Sequence, residues 1–278
     1  MSDVGTRIHA ALRGATTVNC WIVMAAIAAF AGAGKPANAQ TSLLGTASSF
    51  AVLAGSTVTN TGSSDIQGDV GVDPGTAITG FPPGSITNGA IHAADAVAAQ
   101  AQLDVTAAYN KIVSMATTVD LTGQNLGGLT LTPGVYHFAS SAQLTGGLTL
   151  NAQGNSNALF IFQIGSTLTT ASASSINLIN GADGCNVYFQ VGSSATLGTT
   201  TAFTGSILAD TSITLNTGAS ILDGSALAQN GAVTLDTNAI TSPDCPGDTL
   251  VPESQSIVLF LGGGLPFLGL VLRRRTRR

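Results

Sequence analysis

Between residues 40 and 250, few side chains can do acid–base, nucleophilic or metal chemistry: His92, His137, Lys111, Cys185, Cys245 and twelve aspartates. A Cys185–His137 pair would be a nucleophile with its base, but nothing in the spacing brings the two together. Cleaving a polysaccharide needs a strong base or a close pair of carboxylates, and one lysine with scattered aspartates does not supply it. Asp69 and Asp73, in "GDVGVDPG", have the oxygen ligands calcium prefers; the surrounding glycines and proline favour a turn instead. The chain therefore reads as non-enzymatic, with no catalytic residue, no metal and no cofactor. What it has in excess is hydroxyl. The stretch "GTTTAFTGSILADTSITLNTGAS" (198–220) holds seven threonines, three serines and one charge, Asp210. Such a stretch suits a surface that works by shape and hydrogen bonding.

A surface of that kind needs a regular frame, and the sequence contains a repeat. Thr-Leu recurs at Thr130-Leu131, Thr149-Leu150, Thr167-Leu168, Thr196-Leu197, Thr214-Leu215 and Thr234-Leu235. The intervals are nearly equal apart from the longer one between Thr167 and Thr196. A period near twenty marks a stacked architecture, and the longer step reads as an insertion around "INLINGADGCN". Alternation along a strand turns each leucine inward and its threonine outward. Leu131, Leu150, Leu168, Leu197, Leu215 and Leu235 are expected to form one inner column, with Gly127, Gly146, Gly205 and Gly224 at corners that need positive φ. The fold class is mostly β, a β-solenoid with an apolar bore. Within 93–116, Ala101, Val105, Ala108, Ile112 and Met115 carry the spacing of an amphipathic helix, narrow enough to lie along the solenoid. Residues 40–91, with "GFPPGS", read as short strands and tight turns forming an end cap.

The two ends read as addresses. Residues 1–39 run from Arg7 and Arg13 through "CWIVMAAIAAFAGAG" to "ANA", the order of a secretory signal with cleavage expected after Ala39. The apolar run is short for a bilayer span of about 20 residues. Residues 251–278, "VPESQSIVLFLGGGLPFLGLVLRRRTRR", resemble the PEP-CTERM sorting tail of exported bacterial proteins, with Val251 where proline is usual before Pro252 and Glu253. That resemblance implies a membrane contact before processing and a sorting transpeptidase as partner; a simple C-terminal anchor is the alternative. The protein is expected to be secreted or at the cell surface. Lys111 is the single basic residue of the 40–250 body, so neutralising a nucleic-acid backbone is excluded. In an oxidising compartment Cys185 and Cys245 either form a disulfide that ties back the last segment or remain two buried thiols.

"LGTASSFAVLAGSTVTNTG", "GDVGV", "GFPPG", the alanine-rich helix, "LTPGVYHF", "LFIFQIGSTL", "CNVYFQVGSSATLGTTTAFTGSILA" and "GSALAQNGAVTLDTN" follow one another in this order. The series, over residues 43–241, resembles the microbial ice-binding-protein family of secreted, discontinuous β-solenoids. The resemblance implies a right-handed, three-faced solenoid, a long helix packed alongside, an N-terminal cap, and in some members a flat face that binds ice. Alternation makes Thr130, Thr132, Thr149, Asn151, Thr167, Thr169, Thr196, Thr214, Asn216 and Thr234 the candidates for that face. Strands about 4.8 Å apart would set them in a grid able to hold ordered water. Several relatives carry Thr-Ala/Gly-x-Thr/Asn blocks; Thr201 and Thr204 match this fully, and Thr217 with Ser220 in part, making a second candidate set. One coil on, Ser220 and Asp223 would degrade the array. Threonine is also simply a good strand former. A non-catalytic matrix or adhesion protein hydrogen-bonding extracellular glycan is the competing reading of the same fold.

Overall fold

Short apolar–polar alternations broken by glycine leave no room for long strands. In the computed structural model, which describes residues 43–243 and 245, strands run for only two to five residues before the chain turns. The signal-like segment 1–39 and the tail 251–278 lie outside the described residues. Successive coils give one strand each to three parallel sheets, of nine (A), seven (B) and eight (C) strands among the described residues. Every coil buries its inward residues against the next, so the bore is continuous. Tyr136, Phe162, Phe189 and Phe203 stack in it with centroids 5.4, 4.3 and 4.8 Å apart.

The chain enters in the middle of this stack. Strand Phe50–Ala54 pairs with both Asp69–Val72 and Ala226–Ala228. Residues 50–93 therefore make no separate kind of cap. They form further three-sided coils laid on the last C-terminal one, with Val58 opposite Val233 and Ile66 opposite Ile240. Buried polar groups fix this seam, because each must find a partner. The Ser225 hydroxyl donates to the Phe50 carbonyl at 2.6 Å, and the Asn238 N–H donates to Ser64 Oγ at 2.9 Å. Asn238 Nδ2 donates to the carbonyls of Asn216 and Ala219.

Five of the six repeat leucines are buried and Leu131 is half-buried, but they do not form one column. Leu131 and Leu150 belong to sheet C. The other four belong to sheet B, where Leu168 faces Ala195 and Leu197 faces Leu215. The coil after Thr149 is lengthened by a loop, so its true equivalent one coil on is Asn177. Thr167, which the repeat spacing put there, is on a different face. Two lengthened coils lie next to each other and their loops stack: Asn180 Nδ2 donates to Asn151 Oδ1 at 2.9 Å, and Gly154 N–H to the Asn180 carbonyl at 2.8 Å. The corner glycines also divide. Gly146 and Gly205 have φ of 88° and 99°. Gly127 and Gly224 are needed for close approach, since an added Cβ would lie 1.8 Å from the Thr145 oxygen and 2.1 Å from the Gly205 oxygen respectively.

The helix runs Ala96–Val113, shorter than the 93–116 expected. Asp95 caps it, accepting the Ala98 N–H at 2.9 Å. Ala98, Ala101, Val105, Ala108 and Ile112 form its buried stripe and meet Leu53, Ile161, Tyr188, Leu208 and Leu227 on the outer side of sheet A. Each large apolar side chain buried there contributes about 1.5–3 kcal/mol. A bulky residue at Ala101 or Ala108 would lift the helix off. Side-chain amides reinforce the contact: Gln102 Nε2 donates to the Ala228 carbonyl, Gln163 Nε2 to those of Ile112 and Met115, and Gln190 Nε2 to the Tyr109 hydroxyl. Sheet A is thus covered, leaving B and C open.

Candidate functional site

Sheet B presents one residue type on its outer midline. Register pairs Thr169 with Thr196, Thr196 with Thr214, Thr214 with Thr234, Thr234 with Thr59 and Thr59 with Thr79. Six consecutive coils therefore show threonine at the same position, and Gln143 ends the row beside Thr169. The neighbouring inward positions are Leu168, Ala195, Ile213, Val233, Val58 and Ile78, which hold the rungs from below. Among the described residues, none of the six threonine hydroxyls is bonded to another protein group. Each keeps a donor and an acceptor for water.

Beside this row run short side chains, with Ser141, Thr167, Ser194 and Ser212 each just before its strand. These hydroxyls are partly used: Thr167 Oγ1 donates to Ser141 Oγ at 2.8 Å, and Ser212 Oγ accepts the Ala232 N–H at 3.2 Å. Across the row lie Asn216 and Asp236, the latter opposite Thr61. The midline itself carries no charge.

The other candidates fall elsewhere. Thr130, Thr149 and Asn151 are on sheet C, with Thr132 just after its edge strand; they do not share a plane with Thr169 or Thr214. Thr201 is 0% exposed and lies inside the wall, bonded to Thr170 Oγ1 at 2.8 Å and donating to the Ala171 carbonyl at 3.2 Å. The Thr-Ala-Phe-Thr block therefore spans a corner, with Thr204 and Ser220 on sheet C and Thr217 at the B–C edge. One coil after Thr204 stands Leu222, not Asp223. Thr59 and Thr79 were missed because residues 40–91 read as a cap. Their signal is the same inward-apolar, outward-threonine pairing, Val58-Thr59 and Ile78-Thr79.

Residues with ordinary reactivity are spent on the frame. Cys185 and Cys245 are joined in a disulfide with Cα atoms 5.6 Å apart. His92 Nδ1 lies 2.8 Å from Asp95 Oδ2, and its ring packs on Phe50. Asp69 Oδ1 accepts the Ala90 N–H. His137 lies 3.8 Å from Asp120 at the edge of sheet A. The Asp120 carboxyl is held below the usual range by the Thr122 hydroxyl and then its N–H, and Asp95 by the Ala98 N–H and then His92. Burial raises Tyr109 and Tyr136. All of these groups sit on sheet A, the helix or their edges. Among the described residues no three His, Cys, Asp or Glu side chains converge as a metal site, and no helix is long and apolar enough to cross a membrane.

A family model described as Ice-binding-like matches residues 52–241. The chain belongs to this family. An ice-binding protein of Nostoc sp. (strain HG1) is 57% identical over 264 residues, covering 93% of this chain and 97% of that one. Among solved structures of the family fold, an ice-binding protein from an Antarctic biological consortium aligns with a TM-score of 0.69 at 51% identity, over 71% of this chain and 89% of its own. One from the Antarctic ascomycete Antarctomyces psychrotrophicus aligns with a TM-score of 0.70 at 43% identity, over 73% and 98%.

Proposed function

We propose that this is an exported, non-catalytic ice-binding protein and that sheet B is the face that meets ice. The observation that carries the reading is the row of six in-register threonines, itself without charge, on an uncovered sheet, with every hydroxyl left to solvent. Rungs about 4.8 Å apart and neighbouring outward positions about 7 Å apart along a strand make a fixed lattice of hydroxyls and methyls. Water held on such a lattice can join an ice surface. The side chains are short and β-branched, so little rotamer freedom is lost when the layer orders. Strongly hydrated ions, which would disturb that layer, are absent from the midline. The names of the relatives agree with this use of the fold.

Export is supported by the charged, apolar, small-residue order of residues 1–39 and by a disulfide, a bond that persists in oxidising compartments. Residues 251–278 would then contact the membrane and be processed by a sorting transpeptidase.

Thermal hysteresis and ice-recrystallisation assays on the purified protein test the reading. Thr196→Tyr or Thr214→Tyr places a bulky ring in the centre of the row and is expected to lower hysteresis by about ten-fold or more through the clash it creates. Both side chains are half-buried but point outward, so the changes should leave stability within about 0.5 kcal/mol and an unchanged melting curve accompanies the loss. Full activity in both variants would move the site off sheet B.

A further inference from the structure

Among the described residues, the large apolar side chains left exposed are not spread evenly. Ile91, Val97, Leu103, Val113 and Val119 all lie on sheet A or on the helix that covers it, whereas sheet B has none. Leu103 is the most exposed of them, at 65%. It sits in the middle of a second stripe on the helix, opposite the buried one. Ala96, Ala99, Leu103, Ala107 and Asn110 are spaced 3, 4, 4 and 3, so they share the outward side. A helix side that meets only water is usually charged. Here Ala96–Val113 holds two charged residues, and one of them, Asp104, is engaged by Thr46 and Gln100. The outward side is thus apolar and small where solvation alone would make it charged.

The other charged residue is Lys111, the single basic residue of the 40–250 body. It makes no ion pair among the described residues. Lys111 lies eight residues after Leu103 and Asp95 eight residues before it, so each is about 12 Å along the helix axis from that leucine. At about 100° per residue they stand on opposite flanks of the outward stripe. A two-fold axis through Leu103, perpendicular to the helix, therefore brings Lys111 of one copy onto Asp95 of the other, twice over. The Asp95 side chain is 43% exposed, and beyond the Ala98 N–H and His92 its carboxylate can accept another donor. The same operation sets Leu103 against Leu103, Ala99 against Ala107 and Gln100 against Thr106. The alanines let two helices approach to about 8 Å. The Gln100 side-chain oxygen, whose amide donates to Asp104, can accept the exposed Thr106 hydroxyl.

We propose that the outer side of this helix is a self-association surface, on which a second copy of the chain packs antiparallel about Leu103 in a register set by two Lys111–Asp95 pairs. Exposed ion pairs contribute little energy, so their part is to fix orientation, while Leu103 and the alanines supply the buried apolar area. One helix side of about 27 Å makes a small interface, of the concentration-dependent kind. Sheet B belongs to a different side of the coil and stays uncovered in such a pair, so the dimer presents two threonine rows. The association itself does not depend on what those rows bind.

Sedimentation of the full chain over about 1 to 500 µM, together with oxidative cross-linking, tests the pairing. The parent is expected to pass from monomer to dimer within that range. Leu103→Glu sets two carboxylates face to face and should keep the protein monomeric throughout. Lys111→Glu should weaken the dimer by about ten-fold or more. Both changes are on the surface and should leave the melting curve of the dilute protein unchanged. With oxidised glutathione as oxidant, Leu103→Cys should form a disulfide with its own counterpart across the axis, while Thr149→Cys on sheet C should not. A parent still monomeric at about 500 µM overturns the proposal. So does a dimer that survives Leu103→Glu, which would place the interface elsewhere, the apolar tail 251–278 included. A dimer indifferent to Lys111→Glu, or a Leu103→Cys protein that fails to cross-link, overturns the antiparallel register and the proposal with it.

Discussion

Sheets B and C are both open, both built from short strands with an inward apolar residue and an outward polar one. They differ in uniformity. Down the midline of B the outward residue is threonine in six successive coils. Down the equivalent column of C it is Thr130, Thr149, Asn177, Thr204, Leu222, Thr241, Gln67 and Thr87. Strand propensity favours threonine on either face, so it accounts for the scatter on C but not for the constancy on B. The polar groups are also used differently. On C, Asn177 Nδ2 approaches Ser175 Oγ at 3.4 Å, Asn151 is taken by Asn180, and Leu222 and Ile179 are 47% and 40% exposed. On B the midline hydroxyls are free for water. Solvation alone produces a face like C. An unbroken row with nothing bonded to it requires a reason outside folding.

The largest contrast should come from placing the same obstacle on each sheet. Thr234→Tyr on B is expected to remove about nine-tenths of the hysteresis, whereas Thr149→Tyr on C leaves it unchanged. Equal losses would show that the two faces act together and dissolve the distinction. A smaller effect is expected at the end of the row. Thr79→Tyr leaves five clear rungs and should cost about two- to three-fold in the same assay.

The sequence showed the strand alternation, the helix and the left-handed turns at Gly146 and Gly205 directly, because each depends on a few neighbouring residues; Gly127 and Gly224 answer instead to contacts one coil away. It misassigned the faces because a coil is not a constant length. Thr149 and Thr167 are separated by close to one repeat period yet lie on different sheets, the loop after Asn151 having displaced the register. Only pairing across coils, Thr149 with Asn177, reveals it. The Thr-Ala-Phe-Thr block misled for a related reason. Thr201 looks like Thr196 in one dimension, but it follows the corner and its hydroxyl is needed inside the wall to bond Thr170. Thr59 and Thr79 were hidden by topology: nothing local says that a segment near the N-terminus stacks on residues 226–241.

Ionisation offers the finest test of the comparison, because the midline row has no titratable group while the helix attachment does. Burial of the Asp104 carboxyl would raise its pKa, but hydrogen bonds from the Thr46 hydroxyl, the Thr46 N–H and Gln100 outweigh this and hold it below the usual value. A carboxylate lowered on folding contributes stability in full above its unfolded pKa, about 3.9, and loses it as pH falls through the folded value. Between about pH 8 and 5, neither melting temperature nor hysteresis should change; below about pH 4 the melting temperature should fall, and less so in Asp104→Asn. Hysteresis per folded molecule should stay level throughout, because no residue of the row gains a proton. If activity instead fell between pH 8 and 5 at constant melting temperature, the active surface would have to extend beyond the midline row, and the contrast between B and C would lose its meaning.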